Sequence, residues 1–119
     1  MVEKVDYNNL GFAYHTPEKR YIANFKNGAW DEGGLSGDSN VVLNESAGVL
    51  QYCQQVFEGL KAYRWKDGSI VCFRPDLNAE RMFQSAAFLA MPSFPVNRFL
   101  SALDEVVRAN ADSVPPYGT

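Results

Sequence analysis

The sequence reads as an α+β fold, a mostly antiparallel sheet flanked by helices, and three observations lead there. Two dipeptides that mark tight hairpins, Asn27-Gly28 and Asp67-Gly68, each sit between aromatic or β-branched segments. Strand-like segments come first and the long amphipathic segments come after them. The connections are short and turn-like, as antiparallel neighbours require.

Gly11-Phe12-Ala13-Tyr14 and Arg20-Tyr21-Ile22-Ala23-Asn24-Phe25 read as strands, with Thr16-Pro17-Glu18-Lys19 as the turn between them. Asn27-Gly28 leads into Ala29-Trp30. Asp31 to Asn40 is a loop by its Gly, Ser, Asp and Asn content, and Val41-Val42-Leu43 follows as a short buried strand. Ser46 is placed to cap a helix that ends at Gly59, because Val49, Tyr52, Cys53, Val56 and Phe57 follow helical spacing. Leu60 to Trp65 and Ser69 to Arg74 read as two strands around Lys66-Asp67-Gly68. A helix from Asp76 or Asn78 to Met91 carries one apolar stripe, Ala79, Met82, Phe83, Ala86, Ala87 and Ala90, and Pro92 stops it. A last helix over Asn97 to Ala111 presents Phe99, Leu100, Leu103, Val106 and Val107. Val114-Pro115-Pro116-Tyr117-Gly118-Thr119 reads as a linker.

The chain has 119 residues, the size of one domain, so residues 1–119 are taken as one unit. Its hydrophobic fraction of 46% suits a globular protein and not a disordered one. The net charge of −3 comes without any basic block, which argues against a nucleic-acid partner. Met1 to Tyr7 is too polar for a signal peptide, and no apolar run reaches the ~20 residues that span a bilayer. No membrane partner and a cytoplasmic location are expected. Cys53 and Cys72 match no zinc or redox spacing, and two thiols in a reducing compartment suit them better than a disulfide.

Arg81 is the residue that asks most for an explanation. At about 100° per residue it lies nearly opposite the apolar stripe of its helix. Its neighbours on that side are Leu77, Ser85 and Phe88, an odd set for a face meant only for water. The early turns of a helix also favour anions over cations, so a bound anion would offset the placement. A surface arginine paired with Glu80 or a nearby carboxylate fits the same facts. Tyr52, Phe57, Tyr63 and Trp65 can wall an apolar pocket with a phenol as polar handle, or simply pack a core. Lys61 lies among apolar residues, yet a half-exposed strand face suits it better than a role as nucleophile. Glu58 beside Gly59 could serve as an acid or base, but a carboxylate bonded to backbone at a helix end suits it better. His15 has no second ligand at metal spacing, and Gly33, Gly34 and Gly37 do not follow a strand into a helix as a dinucleotide loop would.

Tyr52, the run Phe57-Glu58-Gly59-Leu60-Lys61-Ala62-Tyr63-Arg64, Asp67-Gly68, Phe73-Arg74-Pro75-Asp76-Leu77-Asn78, Arg81-Met82, Ser85-Ala86 and the closing Val114 to Thr119 occur in one order. In that order they resemble the N-terminal part of branched-chain amino acid aminotransferases, fold-type IV enzymes that use pyridoxal 5'-phosphate. The resemblance implies the small N-terminal domain of that fold. It implies that Arg81 holds the cofactor phosphate and that Tyr52 and Phe57 line the substrate side-chain pocket. It implies transfer of an amino group between leucine, isoleucine or valine and 2-oxoglutarate, in amino-acid biosynthesis or breakdown. The Schiff-base lysine and the glutamate on the pyridine nitrogen are expected beyond Thr119, in a larger C-terminal domain, so this chain carries no catalytic lysine and is expected to be inactive alone. The expected partners are that domain, a second subunit in a homodimer, and small amino and 2-oxo acids. Two alternatives stay open: a ligand-binding or interaction domain that reuses the fold without catalysis, and a sister enzyme acting on D-amino acids or aminodeoxychorismate.

Overall fold

The computed structural model describes residues 5–119; Met1 to Lys4, the start of the stretch weighed as a leader, lie outside the described residues. The element order is β1 (Arg20–Ile22), β2 (Phe25–Lys26), β3 (Ala29–Trp30), β4 (Gly34–Ser36), α1 (Gly48–Tyr52), β5 (Ala62–Arg64), β6 (Ile70–Cys72), α2 (Pro75–Phe88) and α3 (Val96–Ala109). The fold is α+β, and its antiparallel strands form separate two-stranded ladders, β1–β4, β2–β3 and β5–β6.

Both hairpin markers act where they were expected. Asn27 and Gly28 take φ of 51° and 80°, the paired left-handed values of a type I′ turn, and put Phe25 opposite Trp30. At the second turn Gly68 has φ of 87°, and the Asp67 carboxylate accepts from the Ser69 backbone N–H at 2.9 Å. Tyr63 then faces Val71 across β5–β6.

The remaining ladder is not local. β1 pairs with β4, which lies inside the stretch read as a loop, so Tyr21 stands opposite Leu35. Four close-set Gly and Ser residues hid that strand, because composition registers turns better than pairing partners. The expected strand Arg20–Phe25 is broken at Ala23-Asn24. There the Asn24 N–H donates to the Asp31 carboxylate at 2.9 Å and the Asp31 N–H returns to the Asn24 carbonyl at 2.9 Å.

Three further expected elements differ in the structure. Gly11–Tyr14 is not a strand, and Phe12 lies fully exposed. Val41–Leu43 is neither a strand nor buried. The helix expected from Ser46 to Gly59 is a single short turn, Gly48–Tyr52, ended by Cys53 in the left-handed conformation at φ 52°. Ser46 does not cap it; its hydroxyl donates to Asn44 Oδ1 at 2.6 Å. A short helix draws its stability from the face it buries, and α1 buries none of its residues.

The two long helices match expectation closely. α2 opens on Pro75, whose missing N–H costs nothing at a first turn. It packs on α3, and it carries Ala79 and Ala86, the buried apolar residues among those described. α3 packs in turn on β1 and β4, and its half-buried Phe99, Leu103 and Val106 line a cleft with Tyr21 of β1. Trp30 ties β3 to this layer. Its indole N–H donates to the Ser93 carbonyl at 3.1 Å, and its ring meets Phe25 and Phe94 edge-on at 5.3 and 5.0 Å. Arg98 lies over Phe94 and donates to the Glu32 carbonyl at 2.9 Å, which fastens the loop after β3.

Candidate functional site

α2 carries Asn78 and Arg81 three residues apart, hence on one face of the helix. The irregular stretch between α1 and β5 crosses that face and brings Glu58 to both. Arg81 Nε donates to Glu58 Oε2 at 2.8 Å, and Arg81 Nη2 donates to Glu58 Oε1. Asn78 Nδ2 donates to Glu58 Oε1 at 2.8 Å and to the Gly59 carbonyl at 3.0 Å. One helix therefore holds both the side chain of Glu58 and the backbone that follows it.

The electrostatics follow from these contacts. Hydrogen bonds from Arg81 and Asn78, with the guanidinium charge, hold the Glu58 carboxyl down at about 2. The same pair raises Arg81 above its ordinary value. The exposures of the two partners differ sharply: the Glu58 side chain is 6% exposed and that of Arg81 is 68% exposed. The carboxylate is covered and the cation faces outward.

The Arg81 face is as mixed as its sequence suggested, since Leu77 and Phe88 are both exposed. A shallow cleft of about 400 Å³ is lined by Val56, Gln84, Ser85, Phe88 and Leu89. Its lining includes Ser85, one helical turn after Arg81, and Val56, two residues before Glu58. Phe57 is carried by the same stretch as Glu58, next to the ion pair in sequence, with its ring 90% exposed. Tyr52 ends α1 and is 85% exposed.

Tyr63 and Trp65 do not share a cavity with Tyr52 and Phe57. They line one of about 570 Å³ between the β5–β6 hairpin and Pro115–Thr119, together with Lys61, Arg64 and Leu10. The closing segment is held there by Trp65 against Tyr117 at 5.8 Å and by Arg64 Nη2 donating to the Ala111 carbonyl at 2.7 Å. Lys61 is exposed on this hairpin. None of Arg81, Glu58, Tyr52 or Phe57 lines that cavity.

Glu58 is the residue that sequence reasoning placed wrongly. It is not at a helix end, because α1 stops at Tyr52. It is the carboxylate that Arg81 needed, and the sequence signal was present: an acidic residue inside an otherwise apolar run, where only pairing makes partial burial tolerable.

No protein-family profile matches the chain. Curated proteins do. The chain is 52% identical, over 99% of its length, to a branched-chain-amino-acid aminotransferase of Haemophilus influenzae, and covers 34% of that protein. It is 43% identical over 98% of its length to the enzyme of that name from Helicobacter pylori, again covering 34%. It is 42% identical over 96% of its length to branched-chain-amino-acid aminotransferase 2, chloroplastic, of Arabidopsis thaliana, covering 30%. The chain thus spans about a third of the length of the curated relatives it matches.

Proposed function

From a match to branched-chain-amino-acid aminotransferases that runs along 99% of this chain, we propose that it is the N-terminal small domain of such an enzyme. On this reading the other two thirds of the enzyme supply the larger domain with the catalytic lysine, and the active protein is a cytoplasmic homodimer. The reaction is exchange of an amino group between leucine, isoleucine or valine and 2-oxoglutarate. Pyridoxal 5'-phosphate would supply the electron sink for that exchange.

The observation that carries the assignment of a cofactor role is the state of Arg81. A guanidinium has five N–H donors, and two of Arg81's are given to Glu58. The donors left on the outward side suit a phosphate, which offers several oxygens and negative charge. Phe57 and Tyr52 would offer aromatic area to an aliphatic side chain, the one property that leucine, isoleucine and valine share. On this reading the chain's own residues bind and orient, and proton transfer falls to the larger domain.

The test is Arg81→Ala in the full-length enzyme, read as the cofactor dissociation constant of the apoenzyme by fluorescence titration. Loss of a charged contact of this kind weakens binding by about 2–3 kcal/mol, roughly 30- to 150-fold. An unchanged constant would remove Arg81 from the phosphate site.

A further inference from the structure

We propose that Glu58 is the positioning residue for Arg81: it fixes the guanidinium by its Nε–Nη2 edge and so presents the Nη1–Nη2 end to the phosphate. The inference rests on the phosphate reading of Arg81 given above and adds a residue that reading does not use.

Three observations carry it. The pairing is bidentate, so it sets the plane of the guanidinium as well as its place. Glu58 is itself fixed, with a 6% exposed side chain and a second donor, Asn78, from the helix that carries Arg81. Asn78 also grips the Gly59 carbonyl, so the backbone beside the carboxylate is tied to α2. A long side chain that stands 68% exposed would otherwise sample many rotamers. Held in this way, it has lost that freedom before any ligand arrives, which is how preorganisation raises affinity.

A carboxylate beside a phosphate site also repels the phosphate, so the sign of the effect decides between the two. The geometry favours positioning, because both Glu58 oxygens sit on the Nε–Nη2 edge and leave Nη1 free. Asn78 further spreads the carboxylate's charge by donating to it.

The experiment is a double-mutant cycle in the full-length apoenzyme with Glu58→Gln, Arg81→Ala and the pair. The readouts are the dissociation constants of pyridoxal phosphate and of inorganic phosphate. Glu58→Gln is expected to weaken both about tenfold, within the range of coupling between contacting residues, and to have no effect in the Arg81→Ala background. Asn78→Ala, which keeps the charge but loosens the carboxylate, is expected to give a smaller loss, and it decides the matter should Glu58→Gln fail to fold. Equal or tighter binding in Glu58→Gln or Asn78→Ala, with Arg81→Ala still weak, overturns positioning and leaves the phosphate reading standing. A Glu58→Gln loss that persists without Arg81 shows only a general structural role and overturns it too. Unchanged binding in Arg81→Ala removes the phosphate reading itself.

Discussion

Asn110→Ala is the sharpest test of the frame that carries α2. Asn110 follows the last turn of α3 and acts like a strand residue toward the start of β1. The Lys19 N–H donates to Asn110 Oδ1 at 3.0 Å, and Asn110 Nδ2 donates to the Lys19 carbonyl at 2.8 Å. The same amide donates to the Val106 carbonyl at 2.8 Å, so one side chain closes the helix end and binds the strand. Three bonds at about 0.5–1.5 kcal/mol each would total roughly 1.5–4.5 kcal/mol. Asn110 is half-buried, and water can replace part of what is lost, so about 2 kcal/mol is expected. Urea unfolding followed by tryptophan fluorescence measures it, with the slope unchanged if only stability moves. Hydrogen exchange at the Lys19 amide reports the local bond. Asn110→Asp sharpens the test: it keeps the acceptor for Lys19 but turns a carboxylate toward two carbonyls at the negative end of α3. Near neutral pH it should be at least as destabilising as alanine, and part of the loss should return when the carboxyl is protonated near pH 4. If Asn110→Ala stays within about 0.5 kcal/mol of the parent and the Lys19 amide exchanges no faster, the link between β1 and α3 does not rest on this side chain.

Two other expectations follow from the same geometry. Trp30→Ala removes two edge contacts and an indole hydrogen bond, and a loss of about 3 kcal/mol in urea is expected. Trp30→Phe should recover most of it, because the Ser93 bond alone accounts for about 1 kcal/mol. Glu58 titrates at about 2 in the folded chain, below its unfolded value near 4.5. Its contribution to stability is therefore complete above about pH 4.5 and lost as pH falls toward 2. Glu58→Gln should flatten the acid limb of the stability curve across that window and leave its neutral-to-alkaline limb parallel to the parent's; identical acid limbs would show that the pair does not form.

Legibility followed the range of the forces. Asn27-Gly28 and Asp67-Gly68 were readable because a tight turn is decided by the φ values its own residues tolerate. The stripe of α2 was readable because Ala79 and Ala86 repeat with the helix that buries them. The β1–β4 pairing was not, since Arg20 and Ser36 meet only when the chain has turned back on itself. The spacing from Val49 to Phe57 looked helical, but period alone does not supply a surface to pack against, and the chain leaves α1 without one. At the site, the oddity of Arg81 was visible from Leu77 and Phe88. Its partner was hidden because Glu58 reaches it across 23 positions, through a bend at Cys53 that no residue preference announces.

That dependence on distant surfaces has a measurable side. A folded monomer of 13.3 kDa should expose roughly 6,400 Å². This chain exposes 9417 Å², roughly 3,000 Å² more, and its radius of gyration is 16.1 Å against about 13.5 Å for a compact domain of this length. The excess is larger than the roughly 1,000–2,500 Å² that an obligate interface usually removes from one partner. It includes the aromatic residues proposed for the substrate pocket, Tyr52 at 85% and Phe57 at 90% exposure. A pocket for a small ligand covers most of the ligand's surface, which one exposed wall cannot do. Arg81 is different, because an anion can be gripped from a single side. On the proposed roles, then, Arg81 could hold an anion from this chain alone, whereas Tyr52 and Phe57 would need a further surface to enclose a side chain.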